Sequence, residues 1–282
     1  MTGSWVSVPG PRAGDPGDIE LIAFDVDGTL VEHPQGKVIW ELLNRRFAGD
    51  ESINVSRYLD FKAGRITYDR WVQLDVEGWI AGGACRGEIL DVVRGLNLID
   101  GAAEVLHRLR DRGYRLAVIS GTLDIVLDEL FPEHPFEQVY TNALEFDGSD
   151  ILCGWKATRY DMDGKARALE HLAATYGLPL ARCAFVGDNI NDLHVAEIAG
   201  FAVAFNAKIP ELEDRAHWIV RSPSLLPVAD LFPGPRGSQG NAAGPAIGSE
   251  GNVAGSPMGF EGNAAGSRTD EIPRTRRNQR SL

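Results

Sequence analysis

The sequence predicts an α/β fold: a doubly wound, mostly parallel sheet with helices on both faces and a small helical cap inserted after the first strand. Three observations carry this. From about residue 98 to residue 205, apolar and β-branched runs alternate with segments of helical period, the pattern of strands crossing over through helices. Between about Glu32 and Asn97 no clear buried strand appears, while apolar residues recur at three- and four-residue spacing. Asp25, Ser120 and Asp188 each close an apolar run, and open α/β sheets bind ligands beyond the carboxyl ends of their strands.

Residues 1–18 are rich in Gly and Pro and read as a loose leader. A strand follows at Glu20–Phe24. The helical insertion spans 33–97, with candidates in "KVIWELLNRRF", "TYDRWVQLDVEGWIAG" and "RGEILDVVRGL". Its aromatic residues Trp40, Tyr58, Phe61, Tyr68, Trp71 and Trp79 read as the insertion's own core, the alternative being that some of them line the substrate pocket. The catalytic core comprises 19–32 and 98–232. There Asp100 is placed to cap a helix bearing Ala102, Val105, Leu106 and Leu109 on one face, ended by Gly113. "RLAVIS" is a strand ending at Ser120, followed by a helix near Leu123–Leu130 and a strand at Gln138–Thr141. "LEFDGSDILCG" reads as a hairpin turning at Asp147-Gly148. Helix "GKARALEHLAATYG", strand "CAFVGD", helix "NDLHVAEIAG" and strand "FAVAF" complete the alternation. From Pro233 to residue 282 the composition changes. "GNAAG", "GNVAG" and "GNAAG" recur at Gly240, Gly251 and Gly262 with too few large apolar residues for a core, so this tail is expected to be disordered up to its basic terminus.

The formal net charge is −12. The tail carries six Arg against four acidic residues, which leaves the body at −14. Such an acidic surface argues against nucleic-acid and anionic-membrane partners. It would also repel a phosphorylated substrate unless a metal or local cations intervene. Cys85, Cys153 and Cys183 are widely spaced with no CxxC pair, which argues against disulfides and a zinc site. The first residues offer no apolar segment of signal-peptide length, and no run approaches the ~20 apolar residues of a spanning helix. A cytoplasmic protein is the expectation; its oligomeric state is left open.

In "LIAFDVDGTL" the two acids Asp25 and Asp27 follow a buried strand two residues apart. Residues at that spacing in a strand share a side, and paired carboxylates repel unless a cation lies between them or one performs chemistry. Taken singly, each feature has a plain alternative: Asp-Gly makes turns, Ser120-Gly121-Thr122 caps helices, Lys165 is a helix-end lysine, and Asn191 and Asp192 are N-cap residues. "GDNINDL" does not fit a calcium loop, having Ile190 and Leu193 where Asp or Asn and Gly belong. Taken together, acids, a hydroxyl and a lysine close successive strands on one edge. Carboxylate oxygens of that kind suit Mg²⁺, a hard cation that uses few protein ligands plus a phosphate.

"DVDGT", then a Ser at a strand end, then a Lys, then "GDNIND" resemble, in that order, the haloacid dehalogenase superfamily of aspartate-dependent phosphohydrolases, over about Ile19 to Asp230. "LIDGAAEVLHRLRDRGYRLAVISG" and the helical insertion look like the phosphoserine-phosphatase branch. The resemblance implies a Rossmann-like core and a Mg²⁺-dependent phosphomonoester hydrolase. Asp25 would attack phosphorus and form an aspartyl-phosphate; Asp27 would protonate the leaving group and then activate water. Ser120 and Lys165 would complete the catalytic set, with Gly28, Ser120, Gly121 and Asn191 around the substrate. Mg²⁺ would be held by Asp25, the Asp27 backbone carbonyl and Asp188, with Asp192 orienting metal waters or Lys165. The acid at Asp27 favours a phosphatase over a dehalogenase.

The substrate implied is a small phosphorylated metabolite. Phosphoserine is one candidate; a sugar, polyol or cofactor-intermediate phosphate is another. In phosphoserine phosphatases a glutamate nine residues after the nucleophile helps hold the substrate amine, but Pro34 stands here, with Glu32 and Gln35 nearby. A cap arginine holds the substrate carboxylate in that family. The comparable helix here has Arg70 near its start and Gln73, Asp75 and Glu77 beyond, while Arg57, Lys62 and Arg65 lie upstream and read as solvated charges. A phosphotransferase or mutase on the same scaffold, or a silent phosphate-binding protein, are the alternatives.

Overall fold

A computed structural model describes residues 6–12 and 14–235. At its centre lies strand β2 (Leu21–Phe24), every residue buried, as expected of a strand covered on both faces. Its parallel neighbours are β5 (Arg115–Leu123) and β8 (Cys183–Gly187). Parallel strands continue outward as β9 (Phe201–Phe205) and β10 (Trp218–Arg221) on one side and β6 (Gln138–Phe146) on the other. Two antiparallel edge strands, β1 (Val6–Pro9) and β7 (Leu152–Lys156), complete the order β1-β10-β9-β8-β2-β5-β6-β7. This is the doubly wound, mostly parallel sheet expected from the sequence.

Period-two alternation divides the strands between two cores. Ile22, Phe24, Val118 and Val186 face helices α5 (Ala102–Asp111), α6 (Asp124–Leu130) and α10 (Leu226–Asp230). Leu21, Ala23, Ile119 and Phe185 face α7 (Lys165–Thr175), α8 (Leu193–Ile198) and α9 (Pro210–Arg215). Between the short antiparallel pair β3 (Val31–Glu32) and β4 (Asn97–Leu98) the chain is helical: α1 (Ile39–Leu43), running into a π-helical turn at Asn44–Ala48, then α2 (Ile53–Lys62), α3 (Tyr68–Ala81) and α4 (Arg86–Val93). Among the described residues no helix is long and apolar enough to cross a membrane.

Several expectations need correcting. The stretch read as a leader contains β1, which pairs antiparallel with β10 from Val6↔Arg221 to Pro9↔Trp218. Both strands have four residues, and β1 is flanked by Gly and Pro, so neither presents a long period. Asp100 does not cap α5: Gly101 occupies that position with φ 73°, and no side chain caps the helix. A Cβ at Gly101 would press on Leu226 and Ser224, so the entry to α5 is set by close packing. Helix α2 was not anticipated because it has no buried residue and little apolar contrast. The Asp147-Gly148 hairpin is observed, with the Asp147 carboxylate accepting from the amides of Ser149 and Ile151 at 2.8 and 3.0 Å. The Gly/Asn/Ala repeats lie outside the described residues.

His217, beside the N-terminal strand, is buried. Its Nδ1 accepts from the Ala202 amide at 2.9 Å, and its ring stacks on Phe201. Burial, with Arg12 adding, pushes its pKa down to about 4. A histidine held neutral in the fold but free to charge in the unfolded chain contributes stability above its unfolded value of 6.5. That contribution fades as pH falls toward 4. His217→Asn keeps an acceptor at the Nδ1 position but does not titrate. The wild-type advantage over it should shrink between pH 6.5 and 4 by on the order of 2 kcal/mol, measured by urea unfolding across that range.

Candidate active site

β2 delivers Asp25 to the carboxyl edge, where its amide still donates to Val186 O at 3.0 Å, so the backbone is held by β8 up to the reactive residue. Asp25 is buried, and its Oδ1 accepts from the Val26 amide at 2.8 Å. Lys165, fully buried at the start of α7, lies 2.9 Å from the same oxygen and 2.7 Å from Asp192 Oδ1. Burial works against the lysine's charge, but Asp192 and Asp25 outweigh it and hold its pKa above the ordinary value. Asp192 Oδ2 accepts from the amides of Asp188 and Asn189 at 2.8 and 3.0 Å. Both oxygens of Asp192 are thus engaged, one of them on Lys165.

Asp188, at the end of β8, is buried. Its Oδ2 is ion-paired to Lys208 Nζ at 2.7 Å. Burial raises the Asp188 pKa, and the charges of Asp25 and Asp192 raise it further. Ligand oxygens of Asp25, Asp188 and Asp192 all lie within 4.8 Å of one another. Three buried carboxylates with oxygens this close, which the charges of Lys165 and Lys208 do not fully offset, fit a small divalent cation. Asp27 is pushed up to about 7, chiefly by burial and then by the Asp25 charge. It is therefore poised between acid and base near neutrality.

These groups meet at a cavity of about 450 Å³ whose floor includes Asp25, Asp27, Ser120, Gly121 and Asn191. Ser120, expected to end its strand, is buried within β5, which continues to Leu123, and its Oγ accepts from the Thr122 amide at 3.2 Å. Gly121 admits the Asp161 carboxylate where a Cβ would collide with it. Asn191 Nδ2 donates to Asp161 at 3.3 Å. Gly28 borders instead a smaller adjoining cavity of about 160 Å³ with Asp27 and Lys208. Its φ is +89°, and a side chain there would strike Asp188 and Lys208, so its role is steric. Lys165, Asp188 and Asp192 are buried and bind Asp25 or one another.

Two polar residues of the site escaped the sequence reading. Lys208 follows β9 in "FNAKIP", on the same edge as the other strand ends, and Asp161 stands four residues before Lys165. Their position relative to the strands was the available signal. The aromatic residues of the insertion divide between the two expected places, with more at the pocket than the core reading gave: Trp79 is core, while Trp40, Tyr58, Tyr68 and Trp71 line the cavity. The insertion is thin, so aromatic rings that pack together on one side present their other side to the site.

An acid cluster and a buried lysine at the carboxyl edge of such a sheet define a hydrolytic class that comparison with known proteins makes concrete. A family model of haloacid dehalogenase-like hydrolases matches residues 22–197, and the chain belongs to that family. Within it the chain is similar to phosphoserine phosphatases. It is 33% identical over 217 residues to the phosphoserine phosphatase SerB2 of Mycobacterium tuberculosis, covering 77% of this chain and 51% of that protein. It is 30% identical over 216 residues to the phosphoserine phosphatase of Archaeoglobus fulgidus, covering 75% and 59%. The chain therefore spans little more than half the length of these relatives. A solved phospho-aspartyl intermediate analogue of phosphoserine phosphatase shares the fold, with TM-score 0.61 and 24% identity over 76% of this chain and 98% of that one.

Proposed function

We propose that this chain is a Mg²⁺-dependent phosphomonoester hydrolase that works through a covalent aspartyl-phosphate on a small phosphorylated metabolite. The observation that carries this reading is Asp25: a buried carboxylate at the cavity floor, fixed through one oxygen by Lys165 and the Val26 amide. Its second oxygen is then the one able to form a new bond. The phosphatase activity of the named relatives points the same way.

Asp25 Oδ2 attacks phosphorus, and the bond from phosphorus to the ester oxygen breaks. Asp27, with a pKa near 7, gives its proton to the departing alkoxide. It then takes a proton from the water that attacks the phosphoaspartate, releasing phosphate and regenerating Asp25. Ser120 and the Gly121 backbone hold phosphoryl oxygens, while Lys165 offsets the negative charge that would otherwise repel the ester. Asp25, Asp188 and the Asp27 carbonyl would hold Mg²⁺, which when bound supplies positive charge to the phosphoryl oxygens. The helical insertion excludes bulk water from the cavity during transfer.

Purified protein should release phosphate from p-nitrophenyl phosphate in Mg²⁺ and lose at least ~99% of that rate in EDTA, with recovery on adding excess Mg²⁺. Full activity in chelator would refute the metal's role. No phosphate release from any monoester would refute the function.

A further inference from the structure

We propose that the leaving group this site accepts is an uncharged, hydroxylated alcohol, as in sugar or polyol monophosphates, and not an amino acid. This rests on the phosphomonoesterase reading and names its substrate class. The insertion's contribution to the cavity wall includes Trp40, Asn54, Tyr58, Tyr68 and Trp71, with valines between them and no charged side chain among the described residues. The polar edges of two of these rings are already committed: Trp40 Nε1 donates to Gly121 O at 2.9 Å, and Tyr68 OH accepts from Asn142 at 2.9 Å. Tyr58 and Tyr68 both pack against Trp71, with ring centroids 6.2 and 6.3 Å away. The site is left with fixed ring faces, which suit the C–H surface of a polyol, and the Asn54 amide, which suits hydroxyls.

The insertion's cations that could meet a carboxylate are ion-paired or, like the exposed Lys62, lie outside the cavity lining. Arg57 is ion-paired to Asp75 on α3, a fully buried acid that also accepts from Asn44 Nδ2 at 2.8 Å. Arg65 pairs with Asp60 and Arg70 with Glu77, both exposed and outside the lining. The charged group on the cavity wall away from Asp25 and Asp27 is Asp161, an acid. A substrate carboxylate would be desolvated there without a counter-charge and beside a like one, a cost that an uncharged polyol does not meet.

The test compares kcat/KM for L-phosphoserine, glycerol 3-phosphate and a set of hexose monophosphates, using the Mg²⁺-loaded protein with p-nitrophenyl phosphate as reference. At least one polyol or sugar ester should exceed L-phosphoserine by 100-fold or more. L-phosphoserine equal to or better than all of them would overturn the proposal while leaving the phosphatase intact. Failure of every ester, p-nitrophenyl phosphate included, would overturn both readings. Asn54→Arg, which places a cation on the wall, should raise kcat/KM for L-phosphoserine at least tenfold; no rise would show that the missing charge does not set the choice.

Discussion

Asp25→Asn should abolish phosphate release, lowering kcat by about 10⁴-fold or more. Asparagine has the same shape, and its carbonyl oxygen can still accept from the Val26 amide and from Lys165, which hold Asp25 at 2.8 and 2.9 Å. What disappears is the second carboxylate oxygen, and an amide nitrogen is no substitute nucleophile. If Asp25 only bound the cation, activity would return at high Mg²⁺; if it carries the phosphoryl group, no concentration restores it. The substitution also removes one of three acids whose oxygens crowd within 4.8 Å. In chelator the variant's melting temperature should therefore be no lower than wild type, since like charges disfavour the metal-free cluster. Activity would be assayed against p-nitrophenyl phosphate, and stability by thermal unfolding in EDTA. Residual activity within tenfold of wild type would place the nucleophile elsewhere.

How much of this arrangement could be read beforehand follows from where the information lies. The strands β2, β5, β8 and β9 are buried on both faces and appear in the sequence as continuous apolar runs, so the polar residue closing each run marks the ligand edge. Asp25, Ser120 and Asp188 were legible for that reason. Lys165 and Asp192 became legible through their order along the chain, and the structure joins them by a 2.7 Å contact. Edge strand β1 and its neighbour β10 were not legible, because strands of four residues carry little periodicity. Arg57 and Asp75 show the deeper limit. Each is a charged residue on a helix and reads as solvated, yet Asp75 is fully buried and Arg57 pairs with it. Such pairing joins α2 to α3, and no local pattern reports which charge meets which. The same holds for the cavity aromatics, whose helical spacing marks a buried face without distinguishing protein neighbours from a ligand.

Lys165→Met should cost about 3–5 kcal/mol of stability, lowering the melting temperature by roughly 10 °C in a chain of this size. The lysine is fully buried between Asp25 and Asp192, so methionine fills the channel but leaves both acids without their cation. Much of that penalty belongs to the stranded charges and not to the lost attraction. The double variant Lys165→Met with Asp192→Asn should consequently recover a substantial part of the loss. The asparagine carbonyl can accept from the amides of Asp188 and Asn189, as Asp192 Oδ2 does at 2.8 and 3.0 Å, while its amide faces the methionine without charge. Turnover should not recover with it, because neither variant restores a positive charge beside Asp25. Urea unfolding and phosphate release on wild type, the two single variants Lys165→Met and Asp192→Asn, and the double variant give a cycle in which stability is non-additive and the activity of the Lys165→Met proteins stays low. If activity returned along with stability, Lys165 would be a buried strut for the loop after β8 and not part of the phosphoryl site.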